Sequence, residues 1–104
     1  MAQALSDKIL CSAIWVNDDK EYPHQPPNIK SGIVFCGHRH CSIFPQITLA
    51  FGEEWKELRR LSKYETGFLT ERGLFVDRRT GAQIAFDAYQ IEINKDELYS
   101  EDLY

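Results

Sequence analysis

Three things are scarce in this chain: long apolar runs, a surplus of basic charge, and the glycine patterns that cradle phosphates. No apolar stretch approaches the roughly 18 residues that a membrane-spanning helix requires. The opening residues, MAQALSDKIL, have neither a basic start nor an extended apolar segment, so no secretory leader is expected. The formal net charge is -4, and the broad basic surface that duplex nucleic acid demands is missing. No GxxxxGKS/T, GxGxxG or GxSxG pattern occurs, which removes the usual signatures of nucleotide hydrolysis, dinucleotide binding and serine hydrolysis. There are three cysteines, Cys11, Cys36 and Cys41. An odd count without a leader predicts free thiols and a reducing cytoplasm.

What is present describes one small globular domain. The 104 residues fit a single domain, and 43% hydrophobic with 27% charged residues is a globular composition. Such a chain has much surface for its volume, so association with a second copy would help to bury more. Residues 92–104 set Glu92, Asp96, Glu97, Glu101 and Asp102 against Lys95 alone, an acidic tail, while the rest of the chain is balanced. Seven of the 12 basic residues fall within residues 56–79. A small anion needs only a local cluster of this kind.

Hydrophobic patterning predicts α+β, an antiparallel sheet with two helices. Residues 8–16, KILCSAIWV, alternate as a first strand, with Ile9, Cys11, Ala13 and Trp15 on one face. Three prolines within residues 23–27 mark a loop or an edge segment. Residues 32–44, GIVFCGHRHCSIF, are rich in branched and aromatic side chains and predict a strand that Pro45 ends, with Gly37 at a bulge or close approach. Residues 52–64 predict an amphipathic helix with Trp55, Leu58 and Leu61 as its stripe. Short strands at residues 68–70 and 74–76 follow, joined through Glu71, Arg72 and Gly73. Asp77 is placed to cap a second helix, whose small face carries Gly81, Ile84, Ala85 and Ala88. Residues 91–104 are expected to form an extended tail ending in Leu103 and Tyr104, with packing at its end.

Two chemistries compete for the site. The CGHRHC pattern of residues 36–41 holds zinc-type donors, but same-face side chains on a strand stand roughly 7 Å apart, too far for one ion to be gripped by three in a row. Cys36 beside His38 offers a nucleophile and a base without a third group to orient them. Neither metal nor catalytic residues are assigned on this basis. The other chemistry is recognition of an anion. Arg39, Arg72, Arg78 and Arg79 supply donor forks, and arginine beside a helix start opposes the helix dipole unless an anion sits there. Phe68 and Phe75 are aromatic faces that could stack on a flat base, their plainer role being core.

Three segments carry a family resemblance: Gly37-His38-Arg39-His40, the block GFLT…G-x-FVDR…A-x-IAF…Q over residues 67–90, and the SEDLY ending from Ser100. Together they resemble the first family of Thoeris anti-defence proteins, small phage-encoded sponges. The resemblance implies a protein that binds a cyclic ADP-ribose isomer without degrading it and so keeps the signal from its effector. It also implies cyclic oligonucleotides as further ligands for some members, no cofactor, and a small α+β domain that forms dimers or larger homo-oligomers, with pockets at the interface. Carried onto this sequence, Arg39 and His40 belong to the first segment, and Phe68, Phe75, Asp77 and Arg78 to the second. Arg39 and Arg78 are expected on phosphate, Phe68 or Phe75 on the base, and Asp77 as the helix cap. The chain departs from the pattern at Leu74, where the family commonly has arginine; Arg72 is the candidate substitute. The alternative is a structural or protein-interaction domain with no small-molecule ligand.

Overall fold

The computed structural model describes residues 7–103. The order of elements is β1 (Ile9–Val16), β2 (Ile33–Gly37), α1 (His40–Phe51), α2 (Glu54–Arg60), β3 (Tyr64–Thr70), β4 (Phe75–Asp77), α3 (Arg78–Asp87) and α4 (Ser100–Leu103). The strands form one antiparallel sheet in the order β2-β1-β3-β4. The α+β expectation holds, with four helices among the described residues rather than two.

Register explains why this sheet has a single helical face. Ser12 pairs with Gly37 and Phe68, Ile14 with Phe35 and Thr66, Val16 with Ile33 and Tyr64, and Phe68 with Val76. These residues therefore share one face. A register shift beside Leu10 turns Ile9 onto that face as well, opposite Thr70, and leaves Leu10 exposed. Two apolar clusters lie on it. One joins Ile14 and Val16 to Ile43 and Ile47 of α1 and to Trp55 and Leu58 of α2. The other joins Ile9 and Phe68 to Ala82 and Ala85 of α3 and to Leu98. Gly81 of α3 stands where a Cβ would be 3.1 Å from the Phe68 ring, so the small helical face does bring backbone close to the sheet.

The long second strand is corrected. It stops at Gly37, and residues 40–51 are helical. Ile43 and Ile47 recur at i and i+4, about one turn apart, and are both buried on the inner face of that helix. Gly37 ends β2 where α1 crosses it, since a Cβ there would lie 2.9 Å from the Ile43 side chain. Pro45 sits inside α1 and deprives the Cys41 carbonyl of its donor, but both residues are exposed and water can serve that carbonyl. Two smaller corrections follow. Residues 64–67, assigned to a helix end and a breaker, belong to β3, and Leu61 lies past the end of α2 and is exposed.

The sheet's margins are closed by side-chain amides. Asn28 in the proline loop donates to the Phe75 carbonyl (2.6 Å) and accepts from its N–H (3.1 Å), acting as a partner strand for β4. Gln25 accepts from Val34 N–H (2.8 Å), and Gln46 donates to the Cys36 carbonyl (3.2 Å), both on the outer edge of β2. Gln90 exchanges two bonds with Ile9, at 2.7 and 2.8 Å, where β2 no longer reaches β1. Each plug satisfies backbone groups that would otherwise recruit another strand.

Candidate functional site

Between the two apolar clusters runs a polar seam, built where three helices begin. His40 opens α1, Arg78 opens α3 and Ser100 opens α4. Asp77 holds the start of α3 in place, its carboxylate accepting from Thr80 N–H at 2.7 Å, as the cap reading expects. The sheet contributes Ser12 from β1 and Thr66 and the Gly67 carbonyl from β3.

The hydrogen bonds fix the tautomer of His40. Its Nε2 lies 2.7 Å from the Gly67 carbonyl, which can only accept, so Nε2 carries the proton. Nδ1 is then the acceptor for the Ser100 hydroxyl at 2.7 Å, with Arg78 Nη2 at 3.5 Å. Ser100 Oγ in turn accepts from Ser12, 2.7 Å away, and from the His40 amide at 3.3 Å. The Ser12 hydroxyl has a second acceptor in the His38 carbonyl at 3.1 Å. Ser12 and Ser100 are buried, and His40 stands edge-on to the buried Phe68 ring, 5.1 Å between centroids.

Arg78 ties the tail to the sheet. Its Nε donates to Thr66 Oγ1 (3.1 Å) and its Nη1 to the Leu98 carbonyl (2.9 Å), and the guanidinium lies over the Tyr99 ring at 4.7 Å. The surface cleft beside it, about 250 Å³, is lined by Glu65, Thr66, Asp77, Arg78, Arg79 and Glu97. Burial, and then the neighbouring Asp77, raises the pKa of Glu65 above the usual carboxylate value. Three carboxylates thus face two guanidinium groups there.

Of the predicted site residues, the structure brings together His40, Phe68 and Arg78. Arg39 precedes α1, where the Ser42 hydroxyl donates to its carbonyl at 2.7 Å. Arg72 lies at the β3–β4 turn, in a separate cleft of about 680 Å³ with Asp7, Lys8, Glu71, Leu74, Ile84, Asp87 and Ala88. Phe75 packs edge-on against Trp15. Phe68 and Phe75 are both buried, so in one protomer neither offers a face to a base; the plainer core role describes them. His38 is exposed and lies beyond β2, which removes its supposed same-face neighbourhood with Cys36. Ser12, Thr66, Ser100 and Tyr99 were not foreseen. One signal for Ser12 was available, as the one hydroxyl within an otherwise apolar strand.

Burial first, and the charge of Arg78 after it, lower the pKa of His40 below its usual 6.5, although the Gly67 carbonyl and Glu101 pull the other way. The unfolded chain therefore takes up this proton more readily than the folded one. The stability associated with neutral His40 is complete above the unfolded value of 6.5 and is lost as pH falls below it toward the lower folded value. Denaturant midpoints at about pH 7.5 and about pH 5.5 should fall further in wild type than in His40→Gln. Equal falls would show that His40 does not govern this window.

The family described as phage T4 y16D protein matches residues 8–104, so the chain belongs to that family. No curated protein matches it, and no solved structure does. The match establishes a phage protein family. Among the described residues no helix is long and apolar enough to cross a membrane.

Proposed function

We propose that this phage protein acts by stoichiometric binding, and that what it sequesters is a cyclic nucleotide-type signal, a cyclic ADP-ribose isomer first among the candidates. The supporting observation is the meeting of His40 and Arg78, 3.5 Å apart, at the starts of α1 and α3. Two helix dipoles and a guanidinium converge there, a setting that favours an anion. The resemblance in residues 37–40, 67–90 and 100–104 supplies the ligand class. Arg72 lines a different cleft from Arg78 in one protomer, and carboxylates crowd the Arg78 cleft. The reading therefore requires that a second copy complete the pocket. Binding without turnover suits the seam, where the His40 Nε2 proton is committed to Gly67 and Nδ1 to a buried serine.

A thermal-shift panel of cyclic ADP-ribose isomers, ADP-ribose, NAD and cyclic di- and trinucleotides tests this, since stabilisation follows ligand concentration over Kd. The expected result is a large shift with a cyclic ADP-ribose isomer and recovery of that ligand unchanged. Recovery of an altered ligand would mean an enzyme. Arg78→Ala should weaken binding at least tenfold, about 1.4 kcal/mol. The same variant also loses the bond to the Leu98 carbonyl, so its own melting must be recorded beside its affinity. A folded Arg78→Ala protein that binds as wild type does would take the residue out of the site.

A second reading, a protein-interaction domain with no small ligand, is favoured by Tyr89 and Ile93, which are 94% and 72% exposed. No shift with any nucleotide, and a partner lost on Tyr89→Ser with Ile93→Ser, would put this reading first.

A further inference from the structure

The face of the sheet opposite the helices carries two thiols in contact. Ala13 pairs with Cys36, so Cys11, two residues earlier on β1, is the diagonal neighbour of Cys36 on that face. Their side chains hydrogen-bond to one another. Both are partly buried, and Cys36 lines a cleft of about 320 Å³ with His24, Gln25, Pro26, Pro27 and Leu69, beneath the proline loop. Cys41 is exposed on α1, in a different element.

We propose that Cys11 and Cys36 form a thiol–disulfide exchange site, a cross-strand dithiol that closes to an intramolecular disulfide on reaction with a small-molecule disulfide. Diagonal pairs are ordinarily wide for a disulfide. Here the thiols already touch, Cys11 adjoins the register shift of β1, and Cys36 is the penultimate residue of β2, so both backbones can yield. The contact with Cys36 lowers the Cys11 pKa against the opposing effect of burial, which favours Cys11 as the attacking group. The same contact, with burial, keeps Cys36 protonated until the second step. The Cys11 thiolate attacks one sulfur of the small disulfide and expels a thiolate, which takes up a proton. Cys36 then loses its proton to solvent and attacks the Cys11 sulfur, expelling the second thiolate. Two electrons leave the protein, and the small disulfide departs as two thiols.

Folded protein exposed to oxidised glutathione, then alkylated and mapped, should show Cys11 linked to Cys36 with the loss of two hydrogens, and Cys41 alkylated. Cys36→Ser should instead retain glutathione on Cys11. In a Cys41→Ser background, the ratio of oxidised to reduced glutathione that gives half closure should rise at least about tenfold in concentrated urea, where the strands no longer hold the thiols together. Separate glutathione adducts on Cys11 and Cys36, a first cross-link through Cys41, or the same ratio in folded and unfolded protein would each overturn the proposal.

Discussion

Gly67→Ala should destabilise the protein strongly and move its denaturant midpoint well below that of wild type. Gly67 lies in β3 between Ala13 of β1 and Asp77 of β4. A Cβ there would stand 2.1 Å from the Val76 carbonyl oxygen and 2.9 Å from the Phe75 ring. The phenyl could turn, but the carbonyl is backbone, so β4 itself has to move. That strand has three residues and is held on its outer edge by Asn28. Displacing it also shifts Asp77, the cap of α3, and Arg78 immediately after it. On the other side, the Gly67 carbonyl anchors His40. One methyl thus strains the hairpin, the helix start and the seam together, and the expected loss is about 3 kcal/mol or more, at the upper end for overpacking. Small domains have only about 5–15 kcal/mol in total.

The comparison that isolates the cause is Gly73→Ala in the β3–β4 turn. Gly73 has φ +85 with nothing near its Cβ position, so only the left-handed backbone cost applies, about 1 kcal/mol. Urea denaturation with an unchanged slope would measure both variants. If Gly67→Ala costs no more than Gly73→Ala, β4 is free to give way and the close approach does not constrain the fold.

Much of this sheet could be read from local pattern, because each legible feature is confined to a few neighbouring residues. Alternation marked β1, Trp55 and Leu58 marked α2, and Asp77 with the small residues after it marked α3. α1 was hidden because Ile33, Val34, Phe35, Ile43 and Phe44 look like one strand interrupted by a polar turn, and because Pro45 reads as a stop. Only the exposure of Cys41 and Pro45 makes that proline tolerable, and exposure is a tertiary property. The seam is less legible still. His40 was named as a site residue from the resemblance and Arg78 also for its guanidinium, yet nothing local announces that they meet across 38 positions. Ser12 and Ser100 meet across 88. The amide plugs share this character: Gln90 and Ile9 are 81 positions apart, and a glutamine that imitates a strand looks like any other glutamine in sequence. In the tail the acidic composition and the packing of Leu103 were legible, but Ser100–Leu103 is helical rather than extended and Leu98, which anchors it, is not conspicuous.

Leu98→Ala is the corresponding test of the tail. Residues 92–104 carry the charge of a solvated segment, and most of those charged side chains are indeed exposed. Leu98 is not: it is fully buried among Ile9, Phe68, Ala82 and Ala85. Its N–H donates to the Arg78 carbonyl at 3.0 Å, and its carbonyl accepts from the Arg78 side chain at 2.9 Å. A face as flat as Gly81, Ala82 and Ala85 cannot collapse into the space a leucine leaves, so the expected loss is about 3 kcal/mol, typical of such a cavity. Ser100 is two residues further on, and its hydroxyl is what meets His40 Nδ1. A tail freed at Leu98 therefore also hydrates His40, returns its pKa toward the ordinary value and removes the pH-dependent part of stability. Denaturant midpoints measured near neutrality and in mild acid would report both effects in one series. If Leu98→Ala costs less than about 1 kcal/mol and leaves the pH response unchanged, the tail is docked but not part of the cooperative fold. A binding site that includes Arg78 would then have to work without the segment that now holds its guanidinium in place.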